Sequence, residues 1–97
     1  LEDNLLEQEV VENINIEGVG EVSYGISCDT HFIEDFGYIT EYGIIISADE
    51  NSALRCTTAI VPNISDDKNF IIKIISLLIS EQALPIHLNN IIEDLLS

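Results

Sequence analysis

The sequence predicts an α+β domain: a four-stranded antiparallel meander followed by two C-terminal helices packed on one face. Three observations carry that prediction. Between Glu9 and Val61 the apolar residues recur with a period of two, in four runs separated by turn-forming clusters. From Ser65 onward the period becomes helical. Pro85 then marks the start of a second helix, because proline suits a first turn whose N–H has no intrahelical partner. The whole chain, residues 1–97, reads as one domain: a frayed arm or helical turn over 1–8, a sheet over 9–61 and a helical pair over 65–97.

The first strand opens at Glu9, with Val10, Ile14 and Ile16 on one face and Val11 and Asn13 on the other. Glu17-Gly18-Val19-Gly20 is a turn. The second strand has the clearest pattern: Val22, Tyr24, Ile26, Cys28, Thr30 and Phe32 alternate with Glu21, Ser23, Gly25, Ser27, Asp29 and His31, one dry face and one wet face. Glu34-Asp35-Phe36-Gly37 supplies a hairpin turn in which Gly37 suits a positive φ. In the third strand Tyr38, Tyr42, Ile44, Ile46 and Ala48 share a face. A turn over Asp49–Ser52 leads to a fourth strand in which Leu54, Cys56, Thr58 and Ile60 face in, ended by Val61-Pro62 because proline cannot donate to a ladder.

Ser65 is the expected N-cap of the first helix, with Asp66 and Asp67 at the positive end of its dipole. The polar stripe of Asn69, Lys73, Ser76 and Ser80 is narrow. So thin a stripe predicts burial on more than one side, as the middle layer of the domain or in a dimer interface. Its isoleucines are middling helix formers, so packing must hold the element. Leu88, Ile91, Ile92 and Leu95 form the apolar face of the second helix, and the short link predicts that the two helices pack together.

Charge sets the kind of partner. The chain has 18 acidic residues against three basic ones, a net charge of -15, and no Lys or Arg precedes Arg55. With 46% hydrophobic residues it still folds rather than remaining a solvated acidic tail. Such charge repels nucleic acid and anionic lipid, so neither is an expected direct partner. No stretch is apolar for the ~20 residues that a spanning helix needs, and a cytoplasmic protein is the simplest expectation. Cys28 and Cys56 are too few for a disulfide framework; reduced, buried thiols are favoured, and a single bridge stays open because both could face one core.

Two parts of the chain carry a resemblance. One is Tyr42-Gly43-Ile44 with Val61-Pro62-Asn63-Ile64-Ser65. The other is Leu84-Pro85-Ile86-His87-Leu88 with Ile91-Ile92-Glu93-Asp94-Leu95-Leu96. Together they resemble a family of small, uncharacterised bacterial proteins known only as a domain of unknown function, over roughly the last 55 residues. The chain departs from that pattern at Leu84, where the family has a small polar cap, and at Asn89 or Asn90, where it has an acid. The resemblance implies a fold and no activity.

Candidate chemistry is sparse. Cys28-x-x-His31 has metal-like spacing, but on a strand the two side chains point to opposite faces. Asp29 and His31 share a face about 7 Å apart, and two ligands do not make a zinc site; the bland reading is a solvated strand face. His87 fits a contact ridge or general base less well than a histidine that bonds nearby backbone at the start of the last helix. Glu93 and Asp94 are adjacent on a helix, so they are no catalytic dyad, and they invite a cation such as Lys68 or Lys73. No enzyme activity, cofactor or metal is expected. The favoured reading is a non-catalytic protein-interaction or regulatory module. Its partner is a basic protein or a second copy of the chain, met through Asp29, His31, Glu34, Asp35, His87, Glu93 and Asp94. The alternatives are a nucleic-acid mimic that occupies a basic groove of a partner, and a small ligand-binding domain.

Overall fold

The computed structural model describes residues 5–48 and 57–96. Strands β1 (Leu5–Ile16), β2 (Gly20–Ile33), β3 (Gly37–Ala48) and β4 (Thr58–Ser65) form one antiparallel sheet in the order β1-β2-β3-β4. Helix α1 (Lys68–Ser80), a 3-10 turn at Pro85–His87 and helix α2 (Leu88–Leu96) follow. The α+β meander with two C-terminal helices is the architecture the periodicities predict.

The first two hairpins are built to one pattern. Ile16-Glu17-Gly18-Val19-Gly20 and Ile33-Glu34-Asp35-Phe36-Gly37 each close with an N–H to carbonyl bond of 3.0 Å, from Val19 to Ile16 and from Phe36 to Ile33. Each places a positive φ at its third and fifth residues: 83° and 105° at Gly18 and Gly20, 78° and 86° at Asp35 and Gly37. The third position of a type II turn requires such a φ, and aspartate is among the few side chains that tolerate it.

The even-numbered face of the central strands is the core. Val22, Tyr24 and Ile26 of β2 and Ile44, Ile46 and Ala48 of β3 pack against Ile71, Ile74, Ile75 and Leu78 of α1 and Leu88 and Ile92 of α2. The fully buried Tyr24 donates its hydroxyl to the Ala83 carbonyl at 2.7 Å and so meets its one strong polar requirement inside the core.

Several expectations change. Strand β1 starts at Leu5, inside the segment expected to be an arm. Its register shifts between Val10 and Glu12, so Val10 lies opposite Gly25 on the helix-free face while Ile14 lies opposite Val22 on the core face; a one-residue bulge reverses every later side chain. Strand β4 does not stop at Pro62. It runs to Ser65 through a second irregularity, where the register jumps from Ile44 opposite Val61 to Tyr42 opposite Ser65. Pro62 is tolerated because β4 is an edge strand and the bulge removes the ladder bond.

Glycine makes both bulges fit. A Cβ on Gly43 would lie 2.3 Å from the Val61 carbonyl oxygen and 2.6 Å from Pro62 Cα, and one on Gly25 would lie 2.7 Å from the Glu9 carbonyl oxygen. The N-cap of α1 is Asp67, whose carboxylate accepts from the N–H groups of Asn69 and Phe70, while the Ser65 hydroxyl accepts from Asp67 N–H one step earlier. The helix buries one stripe only, Ile71, Ile74, Ile75 and Leu78; Phe70, Ile72 and Leu77 stay partly exposed, so α1 is not a middle layer. Cys28 is a free, half-buried thiol rather than a buried one. The expected turn at Asp49–Ser52, and Leu54, Arg55 and Cys56, lie outside the described residues.

Candidate functional site

Length decides what the helices leave uncovered. Strand β2, with 14 residues, spans about 46 Å at ~3.3 Å per residue. Helix α1, with 13 residues, spans only about 20 Å at ~1.5 Å per residue. The far end of the β2–β3 hairpin therefore extends beyond the helical layer, in a molecule 50 Å long and 19 Å thick. The alternation that predicts a dry face from Val22 to Phe32 holds only as far as Ile26. Cys28 and Thr30 are half-buried and Phe32 is exposed.

At that end four large apolar side chains face solvent. Phe36 is 79% exposed at the turn, Tyr38 70% and Phe32 51% on one face of the strands, and Ile33 is exposed on the other. Phe32 and Tyr38 are cross-strand partners whose rings meet edge to face, with centroids 5.3 Å apart. Such a pair contributes about 0.5–1.5 kcal/mol beyond its buried area. Glu34 and Asp35 occupy the same turn, both exposed.

On the opposite face of the same hairpin sit Asp29, His31 and Glu41. Asp29 lies directly across from Glu41 in the ladder. His31 has its Nδ1 3.9 Å from an Asp29 carboxylate oxygen and its Nε2 3.5 Å from one of Glu41. The carboxylates flank the ring at opposite nitrogens, so the three do not converge on one point, and among the described residues no group of three or more His, Cys, Asp or Glu could hold a metal ion. Cys28 lies on the other face from His31, as strand parity requires.

The remaining candidates lie on the 3-10 turn and on α2. The Leu84 N–H donates to His87 Nδ1 at 3.4 Å, and the His87 N–H donates to the Leu84 carbonyl at 2.9 Å. The imidazole thus holds the reversal that starts the 3-10 turn, with Pro85 buried at its first position. Glu93 and Asp94 are exposed on α2. Lys68, one cation suggested for them, sits 3.3 Å from Glu9 of β1 instead. The structure brings Asp29, His31, Glu34 and Asp35 onto one hairpin and leaves His87, Glu93 and Asp94 on the helical end.

Sequence reasoning missed Phe32, Phe36 and Tyr38 as surface residues. The available signal was a comparison of lengths: a strand of this length outruns any helix of 13 residues that packs along it.

The two halves of the first segment that carries the sequence resemblance prove to be partners, since Gly43 faces the Val61-Pro62 bulge. Residues 30–97 match the model of a family of unknown function, DUF6514. No curated protein and no solved structure matches the chain. Among the described residues no helix is long and apolar enough to cross a membrane.

Proposed function

The chain belongs to the DUF6514 family of unknown function, and from that premise we propose that it is a non-catalytic protein-interaction module whose partner is basic and docks on the tip of the β2–β3 hairpin. One observation carries the reading: the paired rings of Phe32 and Tyr38 and the turn residue Phe36 stand exposed at the end the helices do not reach, with Glu34 and Asp35 in the same turn. Aromatic anchors set in a charged rim are the arrangement of interface hot spots, and contiguous exposed apolar patches mark contact sites. The rim charge steers encounter, and the rings supply the affinity.

The test compares variants against a partner recovered with the wild-type chain. Phe36→Ala is expected to weaken binding about tenfold or more, the loss typical of a central aromatic anchor. Glu34→Gln with Asp35→Asn is expected to slow association and flatten its salt dependence while leaving dissociation nearly unchanged. A partner whose affinity ignores all three substitutions refutes the hairpin tip as the docking site.

A further inference from the structure

The two edges of the sheet are finished differently. Strand β4 is short, with 8 residues, and holds Pro62, which has no N–H to offer a further strand. Strand β1 has 12 residues and neither proline nor lysine. Among the described residues no strand pairs with its outer side. Such an edge presents a row of main-chain N–H and C=O groups that have no strand partner. Val10 and Val11 stand on it 63% and 42% exposed.

The bulge in β1 arranges the charge on this edge. Glu9 and Glu12 differ in sequence parity, yet Glu9 pairs with Ile26 and Glu12 with Tyr24, both on the core face of β2. The extra residue between Val10 and Glu12 therefore sets the two glutamates on the same side of the strand, the side of the helices. Their partners are two residues apart, so the glutamates follow one another at about 7 Å, at ~3.3 Å per residue. Both are exposed. Lys68 of α1 reaches Glu9 at 3.3 Å, while Glu12 has no ion pair among the described residues. Val10 and Asn13 lie on the other face, opposite Gly25 and Ser23.

We propose that the outer edge of β1 takes up an extended basic segment of a partner protein as a fifth strand of the sheet. In strand addition the main-chain hydrogen bonds supply affinity and the side chains at alternate positions supply specificity. Charge selects the occupant. A second copy of the chain would bring its own Glu9 and Glu12 to the new ladder, like charge against like, which destabilises the pairing. A segment with Lys or Arg at every second position sets its cations beside Glu9 and Glu12, as Lys68 already does for Glu9. Its remaining side chains then lie beside Val10. The net charge of -15 draws such a segment in and turns acidic chains away. The edge is separate from the hairpin tip, so the two readings stand or fall independently.

The experiment follows amide hydrogen exchange of the full chain by NMR while a short peptide of alternating lysine and valine is added. The peptide is expected to bind, to slow exchange along β1 about tenfold or more, and to lose affinity as salt rises. The same peptide N-methylated at every residue keeps its charge but has no backbone N–H to give, and should bind about tenfold more weakly or worse. A peptide of alternating glutamate and valine should not bind. Glu9→Gln with Glu12→Gln, both at exposed side chains, should weaken the lysine peptide about threefold or more. Phe36→Ala should leave its binding unchanged. Failure of the lysine peptide to bind at low salt overturns the proposal. So does equal binding of the N-methylated peptide, which would make the contact one of charge alone. Protection at residues 32–38 in place of β1, or binding indifferent to the two glutamine substitutions, overturns it as well.

Discussion

The Tyr24 hydroxyl and the Ala83 carbonyl, 59 residues apart in sequence, are joined by a 2.7 Å hydrogen bond inside the core. It ties the middle of β2 to the link between the helices and fixes where the chain turns from α1 toward α2. Tyr24→Phe keeps the ring and removes the donor, leaving a buried carbonyl without its partner. The expected loss is about 1–2 kcal/mol, read as a lower urea midpoint at unchanged slope.

The same tyrosine sets an alkaline limit. Burial raises its pKa above 10.0, because the phenolate would have to form away from water. The unfolded chain therefore releases this proton first. The contribution is fully present below pH 10.0 and is lost as pH rises through the raised folded value. Denaturation midpoints measured on both sides of pH 10.0 should fall across that window, and Tyr24→Phe should fall less steeply than the wild type.

Asp35 stands where the sister hairpin has Gly18, at a φ of 78° against 83°. A left-handed backbone costs an ordinary side chain about 1–2 kcal/mol, partly offset by the flexibility glycine adds to the unfolded chain. Asp35→Gly should therefore raise the thermal midpoint by the equivalent of a few tenths to ~1 kcal/mol. Gly18→Asp should lower it by a similar amount.

Gly43→Ala is expected to be among the most damaging single changes in the sheet. The added methyl would meet the Val61 carbonyl oxygen at 2.3 Å and Pro62 Cα at 2.6 Å, both main-chain atoms that cannot swing aside. A loss of roughly 2–4 kcal/mol follows from overpacking at a fixed backbone. Gly25→Ala, with one main-chain oxygen, that of Glu9, at 2.7 Å and its next neighbour a side-chain methyl of Ile45 at 3.2 Å, should cost less. Equal, small effects at both sites would show that the bulges relax freely.

Added salt should raise the melting midpoint, since -15 charges on one small domain repel and exposed charges are screened over ~8–10 Å. Asp29 and Glu41 directly oppose each other in the ladder, a placement that is destabilising for like charges. Asp29→Asn should raise the midpoint at low salt and lose that advantage at high salt. A midpoint that ignores salt would mean the carboxylates are paired internally.

Four strands and two helices were legible from their periods, and both β2 turns because each ends in glycine. Strand β4, however, was read with the wrong face inward: Thr58 and Ile60 are exposed opposite Ser47 and Ile45, while Ala59 and Val61 pack on the core. The bulges were not legible. Val10 shares sequence parity with Ile14, and only the backbone shift at Val11 separates their faces. Pro62 looked like a terminator because nothing in sequence distinguishes an edge strand from a central one. Ser65 and Asp67 are both good caps, and the choice fell to the residue whose carboxylate reaches two N–H groups. His31 was readable as a neighbour of Asp29 by period two, whereas its approach to Glu41 depends on the hairpin register. The hairpin tip was hidden for a different reason: alternation reports which side of a strand a residue faces, not whether anything packs there.

The order of the chain has a consequence for how neighbouring nascent chains meet. The meander pairs neighbour with neighbour, so its hairpins can close as soon as they leave the ribosome. The side chains that cover Val22, Tyr24, Ile44 and Ile46 belong to residues 71–92 and are made later. In that interval a growing chain would display an uncovered apolar sheet with open edges, the kind of intermediate most prone to stick to its neighbours. Residues 1–54, made before those helices, carry a charge of -13 and no cation. Nascent chains on adjacent ribosomes would repel one another until the helices arrive.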